Sequence, residues 1–295
     1  MKVLATKRLP GAAWERLPNV ELGPIERRDD VSVLIVAGDV VDGSVLDKLP
    51  SLRLVASYGV GYDNIDVGAC RKHDVAVTNT PGVLDAATAD LAIALVLAVR
   101  RGVVEGDAAV RAGRWGGAWS ESPFLGRDLS GSTLGIVGLG RIGSAVRDRA
   151  LAFGMRVLFT RRSETDDPGH RELDDLLRES DVVSLHTPLT AETTGLLSRE
   201  RLALLRDGAT VVNTARGPIV DEDALVAELV SGRISAGLDV FVHEPQVPEA
   251  LRNLPNVVLT PHIGSATVET RAAMTALVVD NVLAFARGEP LLTPV

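Results

Sequence analysis

The sequence predicts an α/β protein with two parallel sheets, one in each half of the chain. Two observations carry this. Short apolar runs recur along the whole length, and the stretches between them are long enough for crossover helices. A glycine-spaced turn, Gly138-Leu139-Gly140-Arg141-Ile142-Gly143, joins one such run to a helical stretch. The 295 residues suffice for two domains at roughly 150 residues each.

The first half offers strands at 3–6, 33–37, 54–57 and 76–78. They are continuous apolar runs, as expected for parallel strands covered on both faces. The apolar stretch 91–99 is far short of the roughly 20 residues of a membrane span. With Thr88 and Asp90 before it and Arg100-Arg101 after it, it reads as a buried helix. The second half offers strands at 134–137, 157–160, 182–185, 210–213, 237–240 and 257–260, then a long helical pattern at 266–287. That last helix is expected to return to the first domain. The expected domains are therefore 1–98 with 268–295, and 99–267.

Composition excludes several classes. The net charge is −8 and no long block of one sign occurs, so neither nucleic-acid nor membrane-surface binding is expected. The single cysteine, Cys70, rules out an internal disulfide and points to a reducing, cytoplasmic setting. Met1-Lys2-Val3-Leu4-Ala5-Thr6 reads as a first strand, not as a secretion signal. No metal site is expected.

The glycine turn follows the run Thr133-Leu134-Gly135-Ile136-Val137 and opens a helical stretch, and another strand comes next. That βαβ setting is what a dinucleotide-binding fingerprint requires. Gly138 permits the turn, Gly140 lets backbone N–H groups approach a pyrophosphate, and Gly143 lets helix and strand pack closely. The helix N-terminus favours the phosphate charge. After the next strand an acidic residue would accept hydrogen bonds from an NAD ribose. Here Thr160-Arg161-Arg162-Ser163 stands instead, with no acid before Glu164. Two guanidiniums favour a 2′-phosphate, so NADP(H) is the expected cofactor, with NAD(H) possible.

Three polar residues follow apolar runs in the last third: Arg216, Glu244 and His262. In an open α/β sheet, ligands bind outside the carboxyl ends of the strands. A cation, a carboxylate and an imidazole are therefore expected at one edge, where an anion clamp and a carboxylate-supported imidazole suit acid/base chemistry. Each has a plainer reading: an ion-pair arginine, a turn carboxylate before Pro245, a loop histidine. His243 lies beside Glu244 and is expected to be exposed or to line the substrate loop. His73 and His170 read as surface residues.

Many ordered motifs accompany these residues. They include Gly59-Val60-Gly61-Tyr62-Asp63-Asn64-Ile65-Asp66, Asn79-Thr80-Pro81-Gly82-Val83-Leu84 and Leu185-His186-Thr187-Pro188-Leu189-Thr190. Further on stand Asn213-Thr214-Ala215-Arg216-Gly217, Gly237-Leu238-Asp239-Val240-Phe241 and Pro261-His262-Ile263-Gly264-Ser265. Through them the chain resembles the D-isomer-specific 2-hydroxyacid dehydrogenases over nearly its whole length. It is most similar to the NADPH-dependent glyoxylate/hydroxypyruvate reductases. The resemblance implies two Rossmann-like domains, a flavodoxin-like substrate domain and a doubly wound dinucleotide-binding domain, with the active site in the cleft. It implies a homodimer acting on a small 2-keto or 2-hydroxy acid.

The resemblance also implies roles. His262 is the general acid, Glu244 orients it, and Arg216 binds the substrate carboxylate, with His262 and the backbone N–H groups of Val60 and Gly61 completing the substrate pocket. Gly138, Gly140, Arg141, Ile142 and Gly143 hold the pyrophosphate, and Arg161, Arg162 and Ser163 the adenosine end. Thr88, Thr187, Pro188, Thr193, Thr214, Ala215, Asp239 and Gly264 line the rest of the nucleotide, with Asp239 accepting from the carboxamide. Trp115 and Trp119 are expected in packing or at the dimer contact. Two other readings stay open. One is an NAD-linked member such as a phosphoglycerate dehydrogenase-like enzyme, disfavoured because many of those continue into a regulatory domain whereas this sequence stops at Val295. The other is a dinucleotide-sensing, corepressor-like interaction protein.

Overall fold

The computed structural model describes residues 1–117, 124–163 and 165–295. Trp119 and Glu164 lie outside the described residues. The chain forms two compact units, Met1–Ala87 with Ser265–Val295, and Thr88–Gly264.

Unit 1 is built from β1 (Val3–Ala5), β2 (Val20–Leu22), β3 (Val33–Val36), α1 (Gly43–Lys48), β4 (Leu54–Ser57), α2 (Val67–Lys72) and β5 (Ala76–Thr78). Its sheet runs β2-β1-β3-β4-β5, all parallel. This is the flavodoxin-like order. The helices start on carboxylates: Asp42 accepts from Ser44 N and Val45 N, and Asp66 from Ala69 N. The C-terminal helix (Val268–Arg287) belongs to this unit. Its Val278, Val279 and Val282 are buried with Val3, Val33, Ile35 and Leu54. The strand missing from the sequence reading is β2. It has three residues, carries Glu21, and exposes Leu22 at the sheet edge, so it has neither the length nor the apolarity of a buried strand.

The helix α3 (Asp85–Arg100) leads into unit 2. There follow α4 (Val103–Arg111), β6 (Thr133–Val137), α5 (Arg141–Ala152), β7 (Arg156–Thr160), α6 (Leu173–Glu179), β8 (Val182–Leu185) and α7 (Arg199–Leu202). Then come β9 (Thr210–Asn213), α8 (Glu222–Val230), β10 (Ser235–Leu238), α9 (Glu249–Arg252) and β11 (Val257–Leu259). The sheet order is β11-β10-β9-β8-β6-β7, all parallel. A single bridge from Phe159 to His170 extends it beyond β7, and the His170 ring stands edge-on to Phe159 at 5.8 Å. His170 is thus a packing residue, against the surface position expected of it.

The unit boundaries differ from the expected 98/99 and 267/268. The reason is α3. Its Ala89, Ala92, Ile93, Leu95 and Val96 are buried with Leu134, Ile136, Val182 and Val212 of the second sheet. Leu95 lies so close to β10 that a Cβ on Gly237 would come within 2.8 Å of it. Most of the buried helix therefore folds with unit 2. No helix among the described residues is long and apolar enough to cross a membrane.

Candidate active site

The register of the second sheet sets the site. Thr160 pairs with Val137, Val137 with Leu185, Leu185 with Asn213, Asn213 with Leu238, and Leu238 with Leu259. These six residues form a level line across the carboxyl ends of the strands. Arg161, Gly138, His186, Thr214, Asp239 and Thr260 come immediately after it. The strand order reverses between β7-β6 and β6-β8, and such a switch point is where an open α/β sheet opens a ligand crevice.

The glycine turn lies at that switch point. Gly138 has φ +97° and its Cα faces the β8 end so closely that a Cβ would sit 2.8 Å from the His186 carbonyl. A side chain at Gly143 would collide with the Gly138 carbonyl, so helix α5 can close on the turn only with glycine there. Gly140 is different: a Cβ there meets nothing within 4 Å. It is the N-cap of α5 and no side chain caps that helix. An uncapped N-terminus with open space before it suits an anion. Arg141 is exposed and Ile142 half-buried in the first turn. A dinucleotide pyrophosphate fits this arrangement.

Neighbouring residues sort by what their polar atoms already do. Thr214 is buried and its Oγ1 has no partner among the described residues, an atom a bound nucleotide could satisfy. The Thr193 hydroxyl donates to the Pro188 carbonyl at 2.6 Å and accepts from Thr190 N at 2.8 Å, so it closes the loop that carries Thr187 and Pro188. His186 Nε2 lies 2.7 Å from Ser184 Oγ. Burial pushes its pKa down to about 4, so the ring is neutral at pH 7. Arg161, Arg162 and Ser163 are exposed just past β7.

Across the same edge stand the three polar residues. Arg216 opens a short 3-10 turn, Gly217–Ile219, in extended backbone conformation. Asn213 fixes that loop: its Nδ2 donates to the Arg216 carbonyl at 2.8 Å and its Oδ1 accepts from Ala215 N at 3.0 Å. A side chain on Gly217 would collide with the backbone of Phe241 and Val242, so the Arg216 loop and the Glu244 loop are in close contact. The Arg216 guanidinium is half-buried and donates to the Ala215 carbonyl at 2.7 Å.

Glu244 Oε2 lies 2.7 Å from His262 Nδ1, and Oε1 accepts from Phe241 N at 3.1 Å. Burial pulls the Glu244 pKa up. The hydrogen bonds from His262 and Phe241, with the charges of His262 and Arg216, outweigh it and hold the carboxyl below its ordinary range. An ionised Glu244 fixes the proton on Nδ1 and leaves Nε2 as the exchangeable position. The ring is half exposed.

His262 owes its position to Asp239. This carboxylate is fully buried, and Oδ1 accepts from Thr260 Oγ1 at 2.6 Å and Ile263 N at 2.8 Å, Oδ2 from Gly264 N at 2.8 Å. His262 N donates to the Asp239 carbonyl at 2.9 Å, and His262 sits at φ +53°, a conformation costly for a residue with a Cβ. The loop around His262 is thus moulded on Asp239. Gly264 lies against both Asp239 and Thr88: a Cβ there would be 3.3 Å from Asp239 Oδ2 and 3.4 Å from Thr88 Cγ2. The sequence reading assigned Asp239 a cofactor contact but missed this holding role. A buried aspartate ending one strand, with a Thr-Pro-His turn ending the next, was the available signal.

A family model for the NAD-binding domain of D-isomer specific 2-hydroxyacid dehydrogenases matches residues 93–264. The chain belongs to this family. A glyoxylate reductase from Thermococcus litoralis is 49% identical over 276 residues, covering 90% of this chain and 83% of the relative. One from Thermococcus kodakarensis is 46% identical and covers 98% of this chain and 94% of its own. Among solved structures, the TT0316 protein of Thermus thermophilus superposes with a TM-score of 0.94 at 48% identity, over 100% of both chains. An NADPH-dependent glyoxylate/hydroxypyruvate reductase from Sinorhizobium meliloti, in complex with NADP and malonate, gives a TM-score of 0.91 at 36% identity, over 100% of this chain and 96% of that one. As a 2-hydroxyacid dehydrogenase the chain is an NAD(P)-dependent oxidoreductase with two Rossmann-like, parallel-sheet domains.

In unit 1, the Gly59–Gly61 loop follows β4. Asn79 Nδ2 donates to the Val60 carbonyl at 2.8 Å and Thr80 N to the Gly59 carbonyl at 2.9 Å. These bonds hold the loop by its carbonyls. His243 is exposed, beside Glu244.

Proposed function

We propose that this dehydrogenase reduces a small 2-keto acid of the glyoxylate/hydroxypyruvate type to the D-2-hydroxy acid, with NADPH as the preferred coenzyme. The observation that carries the chemistry is the 2.7 Å Glu244–His262 pair on the strand edge that also bears Arg216. The nicotinamide, when bound, supplies the hydride. His262 donates its Nε2 proton to the carbonyl oxygen as the carbonyl becomes an alkoxide. Glu244 keeps the other ring nitrogen protonated and stabilises the cation before transfer. Arg216 holds the substrate carboxylate and draws charge from the carbonyl. The amides of Val60 and Gly61 are proposed as further donors to the carboxylate.

On this reading the α5 N-terminus, with the N–H groups of Arg141, Ile142 and Gly143, takes the pyrophosphate. Arg161, Arg162 and Ser163 take the adenosine 2′-phosphate. Thr88, Thr187, Pro188, Thr193, Thr214, Ala215, Asp239 and Gly264 are assigned to the remainder of the nucleotide. The substrate class is supported by the glyoxylate reductases among the relatives. The coenzyme is supported by the exposed arginine pair where an acid would favour NAD. The reading extends to a homodimer: Val103, Val104 and Val110 of α4 and Trp115 leave apolar surface exposed that a second copy would cover.

A steady-state panel tests the substrate class: glyoxylate, hydroxypyruvate, pyruvate and an aromatic pyruvate, each with NADPH. The highest kcat/KM is expected for glyoxylate or hydroxypyruvate. Preference for the aromatic acid would refute the assignment.

A further inference from the structure

The loop after β4 in unit 1 is held by its carbonyls, and that fixes where its amides point. In a trans peptide the C=O and the N–H lie in one plane and point opposite ways. Holding the Gly59 carbonyl therefore aims the Val60 N–H, and holding the Val60 carbonyl aims the Gly61 N–H. The first carbonyl is held by Thr80 N at 2.9 Å and the second by Asn79 Nδ2 at 2.8 Å. The N–H groups of Gly59, Val60 and Gly61 meet no acceptor among the described residues. The aim of the Gly61 N–H thus depends on the placement of Asn79.

Asn79 lies one residue past β5, and Thr293, 214 positions later, ties its backbone on both sides. The Thr293 hydroxyl donates to the Asn79 carbonyl at 2.7 Å, and Asn79 N donates to the Thr293 carbonyl at 3.3 Å. Thr293 is in turn seated by Asn281 of the C-terminal helix, whose side chain is fully buried. Asn281 Nδ2 donates to Thr293 Oγ1 at 2.9 Å and to the Leu277 carbonyl at 2.8 Å. Its Oδ1 accepts from Leu292 N at 3.0 Å and from Thr293 N at 3.2 Å. Both amide protons and both lone pairs are used. The Thr293 hydroxyl accepts from Asn281, so its single proton is committed to the Asn79 carbonyl. Val278, Val279 and Val282 beside Asn281 are buried and apolar, so packing alone does not call for an amide here. Beyond Thr293, Val295 N donates to the Val77 carbonyl at 3.0 Å and continues the contact along β5.

We propose that Thr293 is a positioning residue for the substrate: its hydroxyl, seated by Asn281, fixes Asn79 and through it the Val60–Gly61 peptide whose N–H binds the substrate carboxylate. This role rests on the reading that the Val60 and Gly61 amides bind that carboxylate. Without the hydroxyl the peptide plane is free to tilt, and the amide is aimed less well at ground state and transition state alike. KM therefore moves and kcat does not.

The test is steady-state kinetics with glyoxylate and hydroxypyruvate, beside titration of oxamate, an unreactive analogue of a 2-keto acid, into the full chain saturated with whichever nicotinamide dinucleotide binds. Thr293→Val removes the hydroxyl at nearly constant shape. It should raise KM and the oxamate Kd together by about three- to tenfold, the worth of one hydrogen bond, with kcat and the dinucleotide Kd unchanged. Thr293→Ser keeps the hydroxyl and should behave as the wild type. Leu291→Ala removes an apolar contact of the same segment. It should lower the melting temperature and leave KM and the oxamate Kd unaltered. Unchanged KM and Kd in Thr293→Val, no recovery in Thr293→Ser, or an equal rise in Leu291→Ala would overturn the role of Thr293. A rise of KM in Arg216→Ala but not in Thr293→Val overturns this role alone. A wild type that neither reduces a 2-keto acid nor binds oxamate overturns the functional reading, and this role with it.

Discussion

The two units share an architecture, a parallel sheet with crossover helices, yet α5 of unit 2 starts differently from α1 and α2 of unit 1. In unit 1, α1 and α2 start on Asp42 and Asp66, whose carboxylates satisfy the first N–H groups. In unit 2, α5 starts on Gly140 with no side-chain cap and open space in front. A carboxylate at the N-cap fills the place an anion would take, and a glycine leaves it available. At these three helix starts the N-cap residue thus decides whether the first N–H groups are already satisfied by the chain itself. The same contrast holds for the loops. Unit 1 ties Gly59 and Val60 down through their carbonyls, whereas unit 2 uses a buried aspartate, Asp239, to shape a loop that presents His262.

If unit 2 carries the chemistry, the largest losses belong to its edge. His262→Ala should lower kcat by about 10²–10⁴-fold, the range of general acid catalysis, while the Kd for NADPH stays unchanged. A near-normal kcat would move the proton donor elsewhere. Arg216→Ala should raise KM and lower kcat together, with kcat/KM down by roughly 10²-fold or more, because anchor and polariser are one group. A fall in kcat alone would deny it the anchoring role.

Gly140→Asp turns the unit 2 helix start into the unit 1 kind. The backbone there is extended and a Cβ is tolerated, so the variant should fold and gain about a few tenths of a kcal/mol of stability as a new cap. Its Kd for NADPH should rise at least about tenfold, as a carboxylate replaces the space for a phosphate. Unchanged affinity would break the comparison. The converse change, Asp42→Ala in unit 1, removes a cap and should lower the midpoint of thermal or denaturant unfolding with kcat unaltered.

Acid separates the units more gently. His186 has a folded pKa of about 4 against an ordinary 6.5, so its neutral form stabilises unit 2 above pH 6.5 and that contribution is lost as pH falls toward 4. Asp42 in unit 1 is held below its ordinary 3.8, by Ser44 first and then by Val45 N, so its contribution is lost only at lower pH. Unfolding measured between pH 7 and pH 4 should therefore show a slope that His186→Gln flattens. An identical slope in that variant would remove His186 from the account.

Much of this was legible in the residues. Ten strands, the glycine turn and the placement of Arg216, Glu244 and His262 after their strands all follow from apolar runs and the rule for strand ends. What was not legible depends on contacts distant in sequence. The apolar pattern of α3 says that the helix is buried but not which sheet covers it. That choice rests on Leu95 meeting a glycine 142 positions later, Gly237. Strand β2 lacks a pattern because an edge strand with Glu21 needs none. The left-handed backbone of His262 has no signature in a non-glycine residue, and it is imposed by Asp239.

The central claim is tested most directly by the initial rate of hydroxypyruvate reduction by the wild-type chain with NADPH and, in parallel, NADH, with the configuration of the glycerate determined. The account predicts a higher kcat/KM with NADPH, lost on Arg162→Ala, and D-glycerate as the product. A clear preference for NADH, L-glycerate, or no turnover with either coenzyme would contradict it.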